Sequence, residues 1–464
     1  LFRRNLSLWV ILIVMLVKGV AWVYAIPPLQ NPDEHVHFAY VQYMGEENKV
    51  PIQATDQSYS HELNLLTMAV KMNDIVFKPE VKYSINQDIY DLLYTPENSN
   101  PEMRVASGSN LAAGYPPGYY FFASLVYKIG YEASIFFRLY AVRILSVILS
   151  LIAVALAYLI GKKIEPKTNA LAITLAIMTG MQPMFSMIGA AVNNDIMMDV
   201  VTVALLFWLL YIVTAESKKV TLIIGGILAG LGLITKAHMV YVCGIILLIA
   251  LIVFIKKYGW AYALKSAAFV AVPMFLVYLP WMIFSYIHYG SFTGGVAFQP
   301  EGDPTHGLTW YFQNAMFNEA GRERFFDVWV RMYWAKFGWL DTKFSSDLIY
   351  TIIALIVIMG IIGSIYGVIK KKEDYKYVLF SLIFVIGNLA FLYAVEVVYF
   401  NEYHNFMLQG RYILTSLVPL NLIILYGFRY IFNERFKSYI YYSAGLLMIV
   451  FNLMSIGLIY SRYY

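Results

Sequence analysis

The sequence predicts an all-α polytopic membrane protein, a bundle of about eleven transmembrane helices with two long loops on its outer side. Three observations predict it. Hydrophobic residues make up 60% of the 464 and charged residues only 14%, with a mean hydropathy of +0.62, whereas soluble domains carry about 25% charged residues. Apolar runs close to the roughly 20 residues that a helix needs to cross the hydrocarbon core recur along the chain. The cations between those runs are sorted to one side.

In order, the first run, 6–26, follows Arg3 and Arg4 as a signal peptide would, but it is too long for a signal h-region and reads as a retained span. The chain begins at Leu1 rather than Met, so a few residues are expected to precede it. Further spans are expected near 139–160, 169–189, 195–214, 220–235, 237–255, 265–286, 347–369, 377–399, 411–429 and 439–460. The run 221–255 is broken only by Thr235-Lys236-Ala237-His238 and is too long for one crossing at about 1.5 Å per residue. A re-entrant corner is expected there.

With the N-terminus inside, alternate connections hold Arg3 and Arg4; Lys162, Lys163 and Lys167; Lys218 and Lys219; Lys256, Lys257 and Lys265; Lys370, Lys371, Lys372 and Lys376; and Arg429, Arg435 and Lys437. The opposite connections hold few cations, which is the positive-inside pattern. The net charge of +5 is explained by that sorting and calls for no nucleic-acid partner. Cys243 is the single cysteine, which excludes an intrachain disulfide. The chain therefore reads as one membrane domain, 1–464, with outer loops at 27–138 and 287–346 and no repeat or second soluble domain. Loops of that length usually carry function. The second contains Gly294-Gly295 and the turn-rich Gln299-Pro300-Glu301-Gly302-Asp303-Pro304.

The first outer loop opens on Asn31-Pro32-Asp33-Glu34-His35-Val36-His37-Phe38. Asn31 can cap a helix with Pro32 at its first position and Glu34 at its third, and acidic residues in a first turn are favoured by the helix dipole alone. The alternative is functional: Asp33 and His37, at i and i+4, share one face, and a carboxylate there can take the proton of an acceptor hydroxyl. His35 and His37, two apart, do not jointly face a metal on a helix.

Ionisable residues within spans are expensive and usually face a cavity or mark function. Lys18, Arg138, Arg143, Asp195, Asp199, Lys236, His238, Glu396 and Arg411 are such residues, and nearly all fall in the outer half. Cations gathered on the side of Asp33 suit a phosphate or pyrophosphate headgroup, although snorkelling explains Arg138 and Arg411 about as well. Asn193-Asn194-Asp195 either caps the fourth span or orients a sugar hydroxyl. Gln409-Gly410-Arg411-Tyr412 brings an amide and a guanidinium to an outer corner. Phe337-Gly338-Trp339-Leu340-Asp341-Thr342 offers a sugar-binding ring and carboxylate, or an interfacial anchor.

Taken with Tyr115-Pro116-Pro117-Gly118-Tyr119-Tyr120 and Gly232-Leu233-Ile234-Thr235-Lys236, these motifs in this order resemble a bacterial family of predicted membrane proteins grouped with the GT-C glycosyltransferases, over about residues 6 to 430. The resemblance implies a GT-C fold, a polyprenyl-phosphate (undecaprenyl-phosphate) sugar donor, and an acidic catalytic residue in the first outer loop at Asp33, with Glu34 as the second member of an acidic pair. Arg143, Lys236, Arg411 and Arg138 are then expected to hold the donor phosphate. His37, Tyr115, Asn194, Asp195, His238, Trp339, Asp341, Glu396 and Gln409 are expected to face sugar or acceptor. No cofactor is expected, and the further acidic ligands of metal-dependent oligosaccharyltransferases have no clear counterpart for a divalent metal. The expected partners are the lipid-linked donor, a glycan, lipid or protein acceptor of the cell envelope, and membrane lipids. The expected place is the bacterial inner membrane, with the site on its outer face. A lipid-linked oligosaccharide polymerase or ligase, and a transporter or flippase of lipid-linked sugars, are the alternatives; the lack of a repeat and the charges crowded to one side count against transport.

Overall fold

The computed structural model describes residues 6–54, 58–214, 218–295, 319–403, 406–432 and 434–464. The turn-rich stretch 299–304 lies outside the described residues. In chain order the helices are α1 Leu6–Ala25, α2 Glu34–Glu47, α3 His61–Ala69, α4 Met72–Ile75, α5 Gln87–Leu92, α6 Gly118–Ile129, α7 Ile135–Ile164, α8 Ala170–Gly180, α9 Pro183–Ile188, α10 Asp195–Thr214, α11 Lys219–Leu233, α12 Met239–Tyr258, α13 Trp260–Tyr289, α14 Glu319–Phe326, α15 Tyr333–Ala335, α16 Asp347–Ile369, α17 Tyr375–Tyr403, α18 Leu417–Ile431 and α19 Lys437–Tyr463. Strand structure among the described residues is one short hairpin that pairs Lys336–Phe337 with Thr342–Lys343.

Among the described residues, 9 helical stretches are long and apolar enough to cross a membrane, fewer than the eleven or so expected. The difference lies in two runs. The expected span 169–189 is split, because α8 stops at Gly180 and Gln182 caps a new short helix with Pro183 at its first position. Proline has no N–H to continue the α8 ladder. The expected span 220–235 is α11, 15 residues long, or about 22 Å against a hydrocarbon core of about 30 Å.

Burial separates central from peripheral helices. In α10 72% of the apolar window is buried, and in the stretch Gly410–Ile431 89%, whereas α13 and α16 bury 11% and 22% and turn apolar side chains outward. The two central elements carry Asp195 and Arg411 near their N-terminal ends. Helix α18 is seated closely against α16, where a Cβ on Gly427 would lie 1.8 Å from the Gly360 carbonyl oxygen. Small residues permit this approach between membrane helices, and Ser364 Oγ adds a hydrogen bond of 2.6 Å to the Ile423 carbonyl.

Candidate functional site

Helix α1 ends at Ala25 before Ile26-Pro27-Pro28, and the last carbonyls of a helix have no partner within it. Arg143 of α7 supplies one. Its Nη1 donates to the carbonyls of Val23 at 3.0 Å and Ile26 at 2.8 Å, and its Nη2 to that of Pro27 at 2.9 Å. Its other N–H groups meet Glu34, Nε to Oε1 at 2.8 Å and Nη2 to Oε2 at 2.5 Å. Glu34 also accepts from the backbone N–H groups of Leu29 and Val192, both at 3.0 Å. A guanidinium has five N–H donors, so Arg143 has none left for a phosphate. Both side chains are fully buried. Glu34 and Arg143, expected in the catalytic pair and the phosphate site, form instead the fastening between α1, α2, α7 and the turn before α10.

That fastening sets the backbone of Asp33. Leu29 and Asp33 are left-handed, with φ of 62° and 61°, a conformation that aspartate tolerates better than most residues. Helix α2 consequently starts at Glu34 rather than at Pro32, and the Asn31 side chain makes no hydrogen bond. The Asp33 side chain does not cap the helix either. It accepts from Arg411 Nη2 at 2.7 Å and remains 41% exposed. Burial alone would push this carboxyl up, but the charge of Arg411 and its hydrogen bond outweigh that and hold it below the ordinary carboxylate range.

Arg411 is brought there by a tight corner. A Cβ on Gly410 would lie 2.3 Å from the Tyr333 backbone nitrogen, so only glycine lets the chain pass. The guanidinium is buried, its Nε and Nη1 make no hydrogen bond, and Nε lies 3.5 Å from Asp195 Oδ2. Lys236 arrives from the corner that α11 leaves by ending early. The Gly118 N–H donates to the Ile234 carbonyl at 2.6 Å and Asn194 Nδ2 to that of Thr235 at 3.3 Å. Lys236 Nζ donates to Asp195 Oδ1 and stands 4.7 Å from the ring centre of Tyr412 and 5.7 Å from that of Tyr115, within cation–π range.

Two carboxylates and two cations from four separate segments thus meet at one end of the bundle. Aromatic groups wall them. His37 Nδ1 bonds Tyr120 Oη at 2.7 Å and its ring stacks between Tyr115 and Tyr120; burial pushes its imidazole down to about 3, so it is neutral. His238 packs on Tyr412, and His35 lies 5.8 Å from the rings of both Tyr59 and Trp339. Buried Gln409 Oε1 and Asn194 Oδ1 have no partner.

Three other expected site residues are engaged elsewhere. Arg138 is fully buried on Glu62, Tyr127 and the Ala133 carbonyl. Glu396 pairs with Arg324 at 2.6 Å and accepts from the backbone of Met407 and Leu408. Asp341 accepts from Thr342 Oγ1 at 2.8 Å and lies 3.5 Å from Arg462. Each spends its charge on a structural partner. Conversely, Tyr412, Tyr59 and Tyr120 line the site without having been singled out; only the position of Tyr412 and Tyr120 inside the quoted motifs marked them. Among the described residues, no three His, Cys, Asp or Glu side chains converge to hold a metal ion.

The bundle is that of a membrane protein with the GT-C fold. The chain belongs to the DUF2142 family of predicted membrane proteins, whose model matches residues 16–421. Among curated proteins no sequence matches. The chain is similar to the solved oligosaccharyltransferase AglB of Archaeoglobus fulgidus in complex with an inhibitory peptide and a dolichol-phosphate, at 12% identity and a TM-score of 0.51, covering 100% of this chain and 56% of that one. It is similar to the same enzyme tethered to an acceptor peptide, at 12% identity, a TM-score of 0.50, and 99% and 55% coverage. ArnT of Cupriavidus metallidurans bound to undecaprenyl phosphate matches at 12% identity and a TM-score of 0.44, with 97% and 71% coverage. The chain spans little more than half the length of the AglB structures.

Proposed function

We propose that this protein is a membrane glycosyltransferase that moves a sugar from a polyprenyl-phosphate donor to a glycan, lipid or protein acceptor on the outer face of the bacterial inner membrane, with inversion. The observation that carries the reading is the pair Asp33 and Arg411: a part-exposed carboxylate beside a buried guanidinium whose Nη1 has no partner and whose Nε makes no hydrogen bond and comes no nearer than 3.5 Å to Asp195. Buried polar groups are nearly always satisfied, so unpaired donors of this kind mark the place of an anion. Helix dipoles do not explain them.

In the proposed reaction the acceptor hydroxyl attacks the anomeric carbon, its proton passes to an Asp33 oxygen, and the bond to the lipid phosphate breaks with the electron pair on the phosphate. Arg411 and Lys236 hold the charge as it develops. A phosphate leaves without an acid to protonate it, unlike the leaving oxygen in glycoside hydrolysis. Donor binding also makes Asp33 a better base: the added negative charge lies beside the carboxylate and draws on the cation that holds its proton affinity down. Asp195 keeps Lys236 and Arg411 in place between turnovers. The dolichol-phosphate held by the AglB fold neighbour supports the choice of donor class. The test is to incubate the purified chain with a panel of polyprenyl-phosphate sugars and read thermal stabilisation and sugar transfer. Stabilisation by none of them would refute the reading.

A further inference from the structure

At the end of the bundle opposite the site, a cavity of about 750 Å³ opens between the C-terminal ends of α10 and α12 and the turn that joins α16 to α17. Its mouth is cationic. Lys256, Lys257, Lys371, Lys372 and Lys376 line it together with two carboxylates, Glu373 and Asp374. Those carboxylates are taken: Arg429 Nη2 donates to Glu373 at 2.8 Å, and Arg429 Nη1 and Tyr426 Oη donate to Asp374 at 3.3 and 3.2 Å. Lys372 is turned to the Tyr430 carbonyl at 2.7 Å. Among the described residues this leaves Lys256, Lys257, Lys371 and Lys376 facing one space with no carboxylate partner.

The floor of the cavity is apolar. Val213, Tyr377 and Phe380 line it and also line a second pocket of about 60 Å³ that continues between α10, α12, α17 and α18, walled by Leu209, Ile249 and Leu422. A soluble anion needs only the mouth. A cationic mouth continuous with an apolar slot directed into the bundle matches an amphiphile with an anionic head and a hydrocarbon chain.

We propose that this cavity binds an anionic phospholipid, with its phosphodiester between Lys371, Lys376 and the Lys256-Lys257 pair and an acyl chain over Val213 and Phe380. The site is independent of the sugar-transfer reading. It would tether the α16–α17 turn to the end of α12 and to that of α10, the helix that begins at Asp195.

The test uses the full chain in a neutral detergent, with phosphatidylglycerol, phosphatidylcholine or inorganic pyrophosphate added, read by native mass spectrometry and by melting temperature. Phosphatidylglycerol is expected to be retained and to raise the melting temperature, and phosphatidylcholine to do neither. K371Q/K376Q should weaken phosphatidylglycerol binding about thirtyfold, from the contribution of two surface-proximal lysines, and K371R/K376R should keep most of it. Val213→Trp, which fills the slot, should weaken the lipid as well. Equal retention of both lipids, or wild-type affinity in K371Q/K376Q, would overturn the assignment. So would pyrophosphate that displaces phosphatidylglycerol and stabilises V213W as it does the wild type, which would make this a site for a soluble anion.

Discussion

Arg411 and Asp33 lie 378 positions apart and meet through one 2.7 Å hydrogen bond, made by a guanidinium nitrogen that has nothing else to hold. Arg143 and Glu34, one residue along, meet through two such bonds, and there every donor of the arginine is used. Adjacent acidic residues thus hold arginines of opposite character. One arginine is available to a ligand and the other is not.

Asp33→Asn is expected to abolish transfer, with a loss of roughly 10²–10⁴-fold in kcat as for other general bases. The fold should persist, since Asn keeps an oxygen to accept from Arg411 Nη2 and Asp195 stays beside the guanidinium; loss of the charge opposite a buried arginine should still lower the melting temperature. Full activity in D33N would remove Asp33 from the mechanism.

For Arg411→Ala the readout is donor binding. The wild type should gain melting temperature with a polyprenyl-phosphate sugar and the variant should not, while its unliganded fold persists on circular dichroism. An undiminished gain would show that the phosphate goes elsewhere.

Substitution of Arg143 by Ala should act on folding and not on kinetics. It leaves Glu34 buried and unpaired with the α1 carbonyls uncapped, a loss on the order of 3–5 kcal/mol. Unchanged thermal stability with weakened donor binding would contradict the structural role assigned above.

Low pH should destabilise the protein through His37. Its imidazole is held down to about 3 by burial, so the unfolded chain takes up a proton below about 6.5 that the folded chain refuses. Stability from this residue is full above that pH and falls by up to about 1.4 kcal/mol per unit as pH drops towards 3. His37→Gln should flatten the melting-temperature profile between pH 6 and pH 4; parallel profiles would exclude this source.

Much of the corner was legible in the sequence. Asp33, His37, Tyr115, Asp195, Lys236, His238 and Arg411 were marked by polar residues at the ends of apolar runs, and the structure brings them together. The misreadings share one cause. A charge within a span shows in the sequence, but its partner does not, and the partner decides whether the charge is free. Arg138 looked like a phosphate ligand because Glu62 sits in a loop helix 76 positions away. Glu396 looked free because Arg324 is 72 positions away. The early stop of α8 was hidden for a related reason: apolar composition continues through it, and only backbone hydrogen bonding shows where the helix ends, whereas the end of α11 was marked by the polar break at Thr235-Lys236-Ala237-His238.

The fastening of Glu34 also bears on how the protein can change. Connections between helices commonly accept extra or missing residues, yet residues 26–34 run from the carbonyls that Arg143 caps to the carboxylate that it grips. A single insertion between Ile26 and Glu34 would have to bulge out or turn Asp33 off Arg411. The segment has a fixed length, so variation at this corner can proceed by exchange of side chains but not by addition or loss of residues.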